Sequence, residues 1–272
     1  MSFSVLMSLY NGESSEYLND CLSSINSQIL KPNQIVIVYD GPIRKELDDI
    51  VTRWEKQLPI HCVKLTSCTG LGNALNYGLK FCDYDIVCRM DTDDICRNDR
   101  FLRQVKILES DNNLALIGSY ISEFDSTPSN SHAVRTVPIE HNDICLYAKK
   151  RNPFNHMTVA FRKSVVTSLG GYKDEYLYED YALWIKMLKN GFLTKNIPEA
   201  LVYARVGNNM ELKRGGWKYF TSEVKAQYGF YKIGFLNKQE MIINIVLRTP
   251  VRLMPNFMRK IIYRNLLSRL AP

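Results

Sequence analysis

The sequence lacks the glycine signatures of the common nucleotide folds. No GxGxxG follows its first apolar run, and no GxxxxGK[ST] occurs in its 272 residues, which disfavours dinucleotide and P-loop chemistry. Its seven cysteines, at 21, 62, 68, 82, 88, 96 and 145, form no CxxC pair, and no histidine stands at zinc-ligand spacing from them. A metal cluster built on thiolates is thereby disfavoured. Several of these cysteines lie inside apolar runs, as buried reduced thiols do. No apolar stretch approaches the roughly 20 residues a membrane-spanning helix requires. Internal repeats and low-complexity segments are also absent. The opening MSFSVLMSLY carries neither a charged leader nor a cleavage site, so a cytosolic protein is expected.

What is present is enough apolar material for one substantial core, 46% of the residues, and an uneven distribution of charge. The formal net charge is +7. From Lys213 to Pro272 there are 12 Lys and Arg against two acids, Glu223 and Glu240, a net of +10. Residues 1–212 carry 23 basic and 26 acidic residues, a net of −3. A mildly acidic body (1–212) and a basic C-terminal appendage (213–272) are therefore expected.

Along the body, apolar runs and helical stripes alternate. Strands are expected at Phe3 to Leu9, Gln34 to Tyr39, Ile60 to Leu65, Tyr84 to Met90, Leu114 to Ile121, Val159 to Phe161 and Ala200 to Ala204. Helices are expected at about Glu16 to Gln28, Ile43 to Gln57, Asn73 to Phe81, Phe101 to Glu109 and Glu179 to Leu188. This rhythm is that of an α/β nucleotide-binding layer. Arg205 to Gly216, with its Gly and Asn, reads as a mobile connection.

The chemistry is expected where the strand Tyr84 to Met90 meets Asp91, Thr92, Asp93 and Asp94, because ligands of open α/β sheets bind at the carboxyl ends of strands. In an extended chain a spacing of two puts Asp91 and Asp93 on one side, facing one cation, with Asp94 pointing elsewhere. A hard divalent ion held by one or two carboxylates keeps positions open for phosphate oxygens. The competing reading is a solvated turn, with Asn98 and Asp99 capping the helix that carries Phe101, Leu102, Val105 and Leu108. Other acidic motifs fit worse. An EF-hand loop counted from Asp91 needs Gly where Cys96 stands, and a DDxxD motif counted from Asp93 needs an acid where Arg97 stands. Asp40 also follows a strand, where a lone Asp is either a ligand contact or a turn former. Glu179 and Asp180 open an apolar helix and can be helix-start acids or functional carboxylates.

The run MDTDDICRNDRFLRQV, preceded by strands ending in SLYNG and YDG and followed by EDYALWIKM, resembles the family 2 glycosyltransferases. The likeness covers about residues 3 to 205 and rests on three motifs in order. GLGNALNYGL, PFNHMTVAFRKS and LVYARVGN are similar to segments of bacterial O-antigen and exopolysaccharide enzymes, the amylovoran type among them. The resemblance implies a GT-A fold, a mixed central sheet with helices on both faces. It implies a UDP-sugar donor held by Leu9, Tyr10, Asp40, Gly70, Asn73, Arg89, Asp91, Thr92 and Asp93. Asp91 and Asp93 would hold Mn²⁺ or Mg²⁺, with Asp180, or else Glu179, as the base. The family often has a His in the loop after this helix; Arg205, Asn208, Asn209, Lys213 and Arg214 stand there instead, and Arg205 would contact the leaving diphosphate. His156 and Trp184 would meet the acceptor, although a His beside Phe154 and Met157 can equally be a packed core residue.

The implied reaction is inverting transfer of galactose or glucose, β1,3, to a polyprenyl-diphosphate-linked GlcNAc. The alternative is a non-catalytic sugar-nucleotide or polysaccharide-binding protein of the same fold. The tail suits an anionic membrane surface at the inner face of the cytoplasmic membrane better than nucleic acid. Met241 to Leu247 and Phe257 to Leu270 supply apolar residues, and the second segment intersperses them with cations: Phe257, Ile261, Leu266 and Leu270 can share a helical face with Arg259, Lys260, Arg264 and Arg269 mostly off it. A helix packed back on the body is the other possibility.

Overall fold

The computed structural model describes residues 1–173, 177–206 and 216–254. Their elements run β1 (Phe3–Leu9), α1 (Ser15–Asn26), β2 (Gln34–Tyr39), α2 (Lys45–Trp54), β3 (Ile60–Lys64), α3 (Leu71–Gly78), β4 (Ile86–Arg89), β5 (Ile95–Cys96), α4 (Arg100–Ser110), β6 (Leu114–Phe124), β7 (Ala133–Arg135), α5 (His141–Ala148), β8 (Ala160–Arg162), α6 (Lys163–Ser168), α7 (Glu179–Lys189), β9 (Leu193–Arg205), α8 (Trp217–Lys232) and α9 (Lys238–Leu253). One nine-stranded sheet runs β3-β2-β1-β4-β8-β6-β9-β5, with β7 on β6. β1 to β4 pair parallel where they adjoin, and β8 enters antiparallel between β4 and β6, so the sheet is mixed, as expected.

Alternation along the strands builds two cores, one on each face. Val5, Met7, Ile35, Ile37 and Cys88 face α1, α2 and α4 through Leu18, Leu22, Leu47, Val51, Phe101 and Val105. Leu6, Val36, Val38 and Val87 face α3, α7 and α8 through Leu75, Trp184, Ala226 and Phe230. A strand buried on both faces reads as a continuous apolar run, which is why QIVIVY is so legible.

The structure departs from the expectations at several points. α3 starts at Leu71, two residues early, and its last turn, Leu79–Phe81, is 3₁₀. Asp99 precedes α4 but makes no capping hydrogen bond, because Arg97 takes its carboxylate through two contacts, 2.6 and 2.9 Å long. The expected strand at 200–204 is the end of a 13-residue one. Its first half was hidden by Pro198 and Glu199, which the register skips between Ile197 and Ala200, as a proline in a sheet must be accommodated. The short β5, β7 and α6, and the weakly patterned α5, carry too little periodicity to be read. Most of the connection expected to be mobile, including Asn208, Asn209, Lys213 and Arg214, lies outside the described residues, as does the segment Phe257 to Leu270.

Candidate active site

The parallel order of β1, β2 and β4 brings three loops to one edge. Leu9 is fully buried, so only its backbone reaches that edge, and its carbonyl accepts the Asp40 N–H at 2.8 Å. Tyr10 is exposed, and its hydroxyl pKa is raised by burial of the ring and by the charges of Glu13 and Asp93, which places it over the acidic loop. Asp40 is 6% exposed. Its carboxylate accepts the backbone N–H groups of Thr69, at 2.6 Å, and Gly70, at 3.0 Å. Gly70, at φ +89°, supplies the left-handed turn that starts α3, and Asn73 ties back to the Thr69 carbonyl at 3.0 Å. Asp40 thus orders the Thr69–Gly70 turn, both a structural and a site residue.

Asp91, Asp93 and Asp94 each offer an oxygen within 4.8 Å of the others. This corrects the expectation for Asp94. Past Arg89 the chain leaves the strand, so the alternation rule no longer separates neighbours, and Asp94 turns into the cluster. It is 2% exposed, accepts the Arg205 N–H at 2.8 Å through Oδ1, and has no hydrogen-bond partner on Oδ2. Burial, then the neighbouring carboxylates, push the pKa of Asp94 well up and raise that of Asp93. At such separations each ionised pair costs on the order of 3 kcal/mol at an effective dielectric of 20. The trio therefore holds protons or a cation, and a hard divalent ion fits an all-carboxylate set with an orphaned oxygen.

Two buried arginines shape this loop. Arg100 is fully buried in α4 and donates to the Arg89 carbonyl at 2.6 Å, fixing the end of β4. Arg89 was expected to touch the donor; instead it is 1% exposed and its guanidinium pairs with Asp91 Oδ2 from inside. Thr92 departs in the same way, its hydroxyl buried and donating to Glu13 at 2.7 Å. Glu13, which sequence patterning did not single out, therefore lies under the loop. Arg205 is also committed elsewhere. Its guanidinium lies 3.8 Å from the Tyr17 ring centroid and donates to the Asp93 carbonyl and Asp20, each at 3.2 to 3.3 Å. It braces the acidic loop from the side, not through a free cation.

Across the edge stands the start of α7. A Cβ on Gly72 would come within 2.9 Å of Glu179, so only glycine lets the α3 turn approach this closely. Burial raises the Asp180 pKa, and its carboxylate accepts from the Tyr181 N–H at 2.6 Å and the Asn152 amide at 2.7 Å. Asn152 was unsuspected, because asparagine before proline reads as a turn. Behind it, His156 meets the Tyr172 hydroxyl at 3.1 Å, and burial followed by the Arg89 charge pushes its pKa well down, which keeps it neutral. Trp184, expected at the acceptor, is fully buried against Phe154, His156 and Tyr172 and contacts no ligand space. The apolar helix α7 buries every residue from Tyr181 to Ile185 between the sheet and α8, while Lys189 stands on its exposed side.

The loops thus set an acidic trio that could hold a cation at one edge of the sheet, with a carboxylate of raised pKa at the start of α7. Comparison with known proteins shows the family and the fold. The sequence profile described as Glycosyl transferase family 2 matches residues 4–168. A UDP-Gal:alpha-D-GlcNAc-diphosphoundecaprenol beta-1,3-galactosyltransferase of Escherichia coli is 40% identical over 98% of this chain and 97% of its own. The amylovoran biosynthesis glycosyltransferase AmsE of Erwinia amylovora is 41% identical over 97% of this chain and 98% of its own. The crystal structure of Staphylococcus aureus TarS 1-349 in complex with UDP-GlcNAc superposes with a TM-score of 0.69 at 16% identity, over 93% of this chain and 74% of that one, a likeness of fold.

Proposed function

The chain belongs to glycosyl transferase family 2, and from that premise we propose that it transfers galactose or glucose from a UDP-sugar to a GlcNAc-diphosphate-undecaprenol-type acceptor, with inversion and in β1,3 linkage. The fold is of the GT-A type. The observation that carries the substrate reading is the near-full-length 40% identity to the Escherichia coli galactosyltransferase. Such an enzyme serves O-antigen or exopolysaccharide repeat-unit assembly. A panel of UDP-sugars offered with a short-lipid GlcNAc-diphosphate, with the product linkage determined, tests it; UDP-Gal or UDP-Glc should be used and a β1,3 product formed. Turnover only with another sugar nucleotide, or on an acceptor without diphosphate, would overturn the assignment.

In this reading the uridine diphosphate lies along Tyr10, Asp40 and the Thr69–Asn73 turn. Asp91 and Asp93, with Asp94 behind them, would hold Mn²⁺ or Mg²⁺, which when bound supplies positive charge for the leaving diphosphate. Asp180 takes the proton of the acceptor hydroxyl as that oxygen attacks the anomeric carbon from the face opposite the leaving group. Two observations support Asp180 over Glu179: the burial that raises its pKa, and the Asn152 amide that orients it. Neutral His156 is a half-buried neighbour of this pocket, within reach of an acceptor sugar only through its exposed edge.

A polyprenyl-linked acceptor stays in a membrane, so the enzyme should meet it there. Among the described residues no helix is long and apolar enough to cross a membrane. α9 nevertheless turns Ile242, Ile243, Val246 and Leu247 outward, between 45% and 69% exposed. An exposed apolar stripe on a basic helical pair supports peripheral docking on an anionic surface. The full chain should cosediment with anionic vesicles, release at high salt, and leave neutral vesicles alone. Ile243→Ser, Val246→Ser and Leu247→Ser combined should abolish cosedimentation while activity on a short soluble acceptor persists. Unchanged sedimentation of that variant would remove α9 from the membrane contact.

A further inference from the structure

The chain reaches the Asp180 carboxylate through a short turn after α5. Lys150 and Arg151 both donate their N–H groups to the Tyr147 carbonyl at 2.9 Å, and the Ala148 carbonyl accepts the Tyr181 hydroxyl at 2.6 Å. The turn is thus tied to α7, the helix that begins with Glu179 and Asp180. The next residue, Asn152, donates to the Asp180 carboxylate at 2.7 Å and accepts the Phe154 N–H at 3.2 Å, which leaves its amide one orientation.

On its other side the turn rests on α9. Asn244 donates to the Lys149 carbonyl at 2.7 Å, and the Lys149 ammonium pairs with Glu240 at 2.8 Å. Leu247 stands at i+3 from Asn244, and Ile243 at i+3 from Glu240, a spacing that makes neighbours on a helix surface. These two are 69% and 55% exposed. The apolar stripe of α9 therefore borders the face on which the turn sits.

Lys149 is neutralised by Glu240, but Lys150 and Arg151 are not engaged in this way. Both are exposed, and among the described residues neither side chain has an ion pair or a hydrogen bond. Two free cations in adjacent positions suit a phosphate group, which accepts charge-assisted hydrogen bonds from both. Arginine presents a planar fork that matches two phosphate oxygens, and lysine adds a mobile point charge.

We propose that Lys150 and Arg151 bind the diphosphate of the acceptor. The hydroxyl at Asp180, the diphosphate at Lys150 and Arg151, and the lipid in the membrane against which α9 docks then follow one another in the order in which the acceptor carries them. The inference rests on the acceptor and the base proposed above. The attacked hydroxyl and the diphosphate belong to one sugar ring, so the phosphates must lie within a sugar's width of the base. Arg151 meets that condition, since its Cα is about 3.8 Å from that of Asn152, whose side chain touches Asp180. The donor's diphosphate leaves during the reaction, whereas the acceptor's stays attached throughout. Fixed cations that hold it equally well in the ground and transition states lower KM and leave kcat alone.

The double variant Lys150→Ala, Arg151→Ala should raise the KM for a short-lipid GlcNAc-diphosphate, assayed without vesicles, by about tenfold, because two exposed contacts are each worth a few-fold. Its kcat at saturating acceptor and its UDP affinity should stay within twofold of the parent, and its melting temperature within a degree or two. The charge-preserving pair Lys150→Arg, Arg151→Lys should keep the acceptor KM within about threefold. The parent's acceptor KM should climb with ionic strength, and that of the alanine variant should stay nearly flat. A parent-like KM with parent-like salt dependence in the alanine variant would overturn the proposal. If that variant also lost cosedimentation with anionic vesicles, the two cations would serve lipid headgroups instead. Equal losses of acceptor affinity, UDP affinity and melting temperature would make the turn merely structural and would overturn it as well. A parent that turns over no GlcNAc-diphosphate would remove the function proposed above, whereas a parent that uses it beside an unaffected alanine variant would remove this inference alone.

Discussion

Asp180→Asn should lower kcat by about 10²- to 10⁴-fold, the usual contribution of a positioned general base, while UDP-sugar binding stays nearly intact. The amide has the carboxylate's shape and can still meet Asn152, but it cannot take the acceptor's proton. Because burial raises the Asp180 pKa, the group is ionised, and so competent, only above that raised value. Activity of the parent enzyme should therefore fall on the acid side at a pH above the ordinary carboxylate range, as the base becomes protonated. Glu179→Gln should cost less, since Glu179 packs over Gly72. Pre-steady-state transfer measured beside UDP titration separates the two steps. Should Glu179→Gln be the silent enzyme and Asp180→Asn the active one, the role passes to Glu179.

Asp93→Ala should remove nearly all turnover and, in the same protein, leave the melting temperature of the metal-free chain unchanged or higher. Asp93 is crowded by Asp91 and Glu13 and its pKa is raised by burial first and their charges second, so deleting its carboxylate relieves repulsion. The apolar strand beneath it does not depend on that group: Val87 and Cys88 pack against the two cores whether or not it is there. Loss of a charge-stabilising group at the leaving diphosphate costs on the order of 10²- to 10³-fold or more. Mn²⁺ titration followed by electron paramagnetic resonance should show binding to the parent and little to the variant. Full activity of the parent in excess chelator, or equal Mn²⁺ binding by both proteins, would dismiss the metal role.

Arg89, Trp184 and Thr92 show where a linear reading misleads about a site. All three stand beside or within motifs, and all three are buried, with Arg89 pairing inward with Asp91 and Thr92 with Glu13. A motif records which residues accompany a site; it does not distinguish those that face the ligand from those that hold the ones that do. Glu223 makes the same point from the opposite side. In sequence it is one of two acids in a basic tail, and only the packing of α8 and α9 reveals that it is buried and clamped by Arg248 and Arg252.

The sequence by itself determined the strands buried on both faces, the helices with clear stripes, and the two acidic motifs, because these depend on patterns within a window of a dozen residues. It determined as well that Asp91, Asp93 and Asp180 stand at element ends, where side chains are free to face a ligand. Tertiary structure alone decided which residues share the site. The parallel pairing of β1 with β4 sets Tyr10 beside Asp93, the bulge at Pro198 and Glu199 lets β9 run on to brace the acidic loop with Arg205, and the C-terminal helices reach back to the Tyr178 ring through Tyr219 and to the Lys149 carbonyl through Asn244. Those contacts join positions about 40 to 110 residues apart. No local periodicity encodes them, because they exist only once the chain has closed.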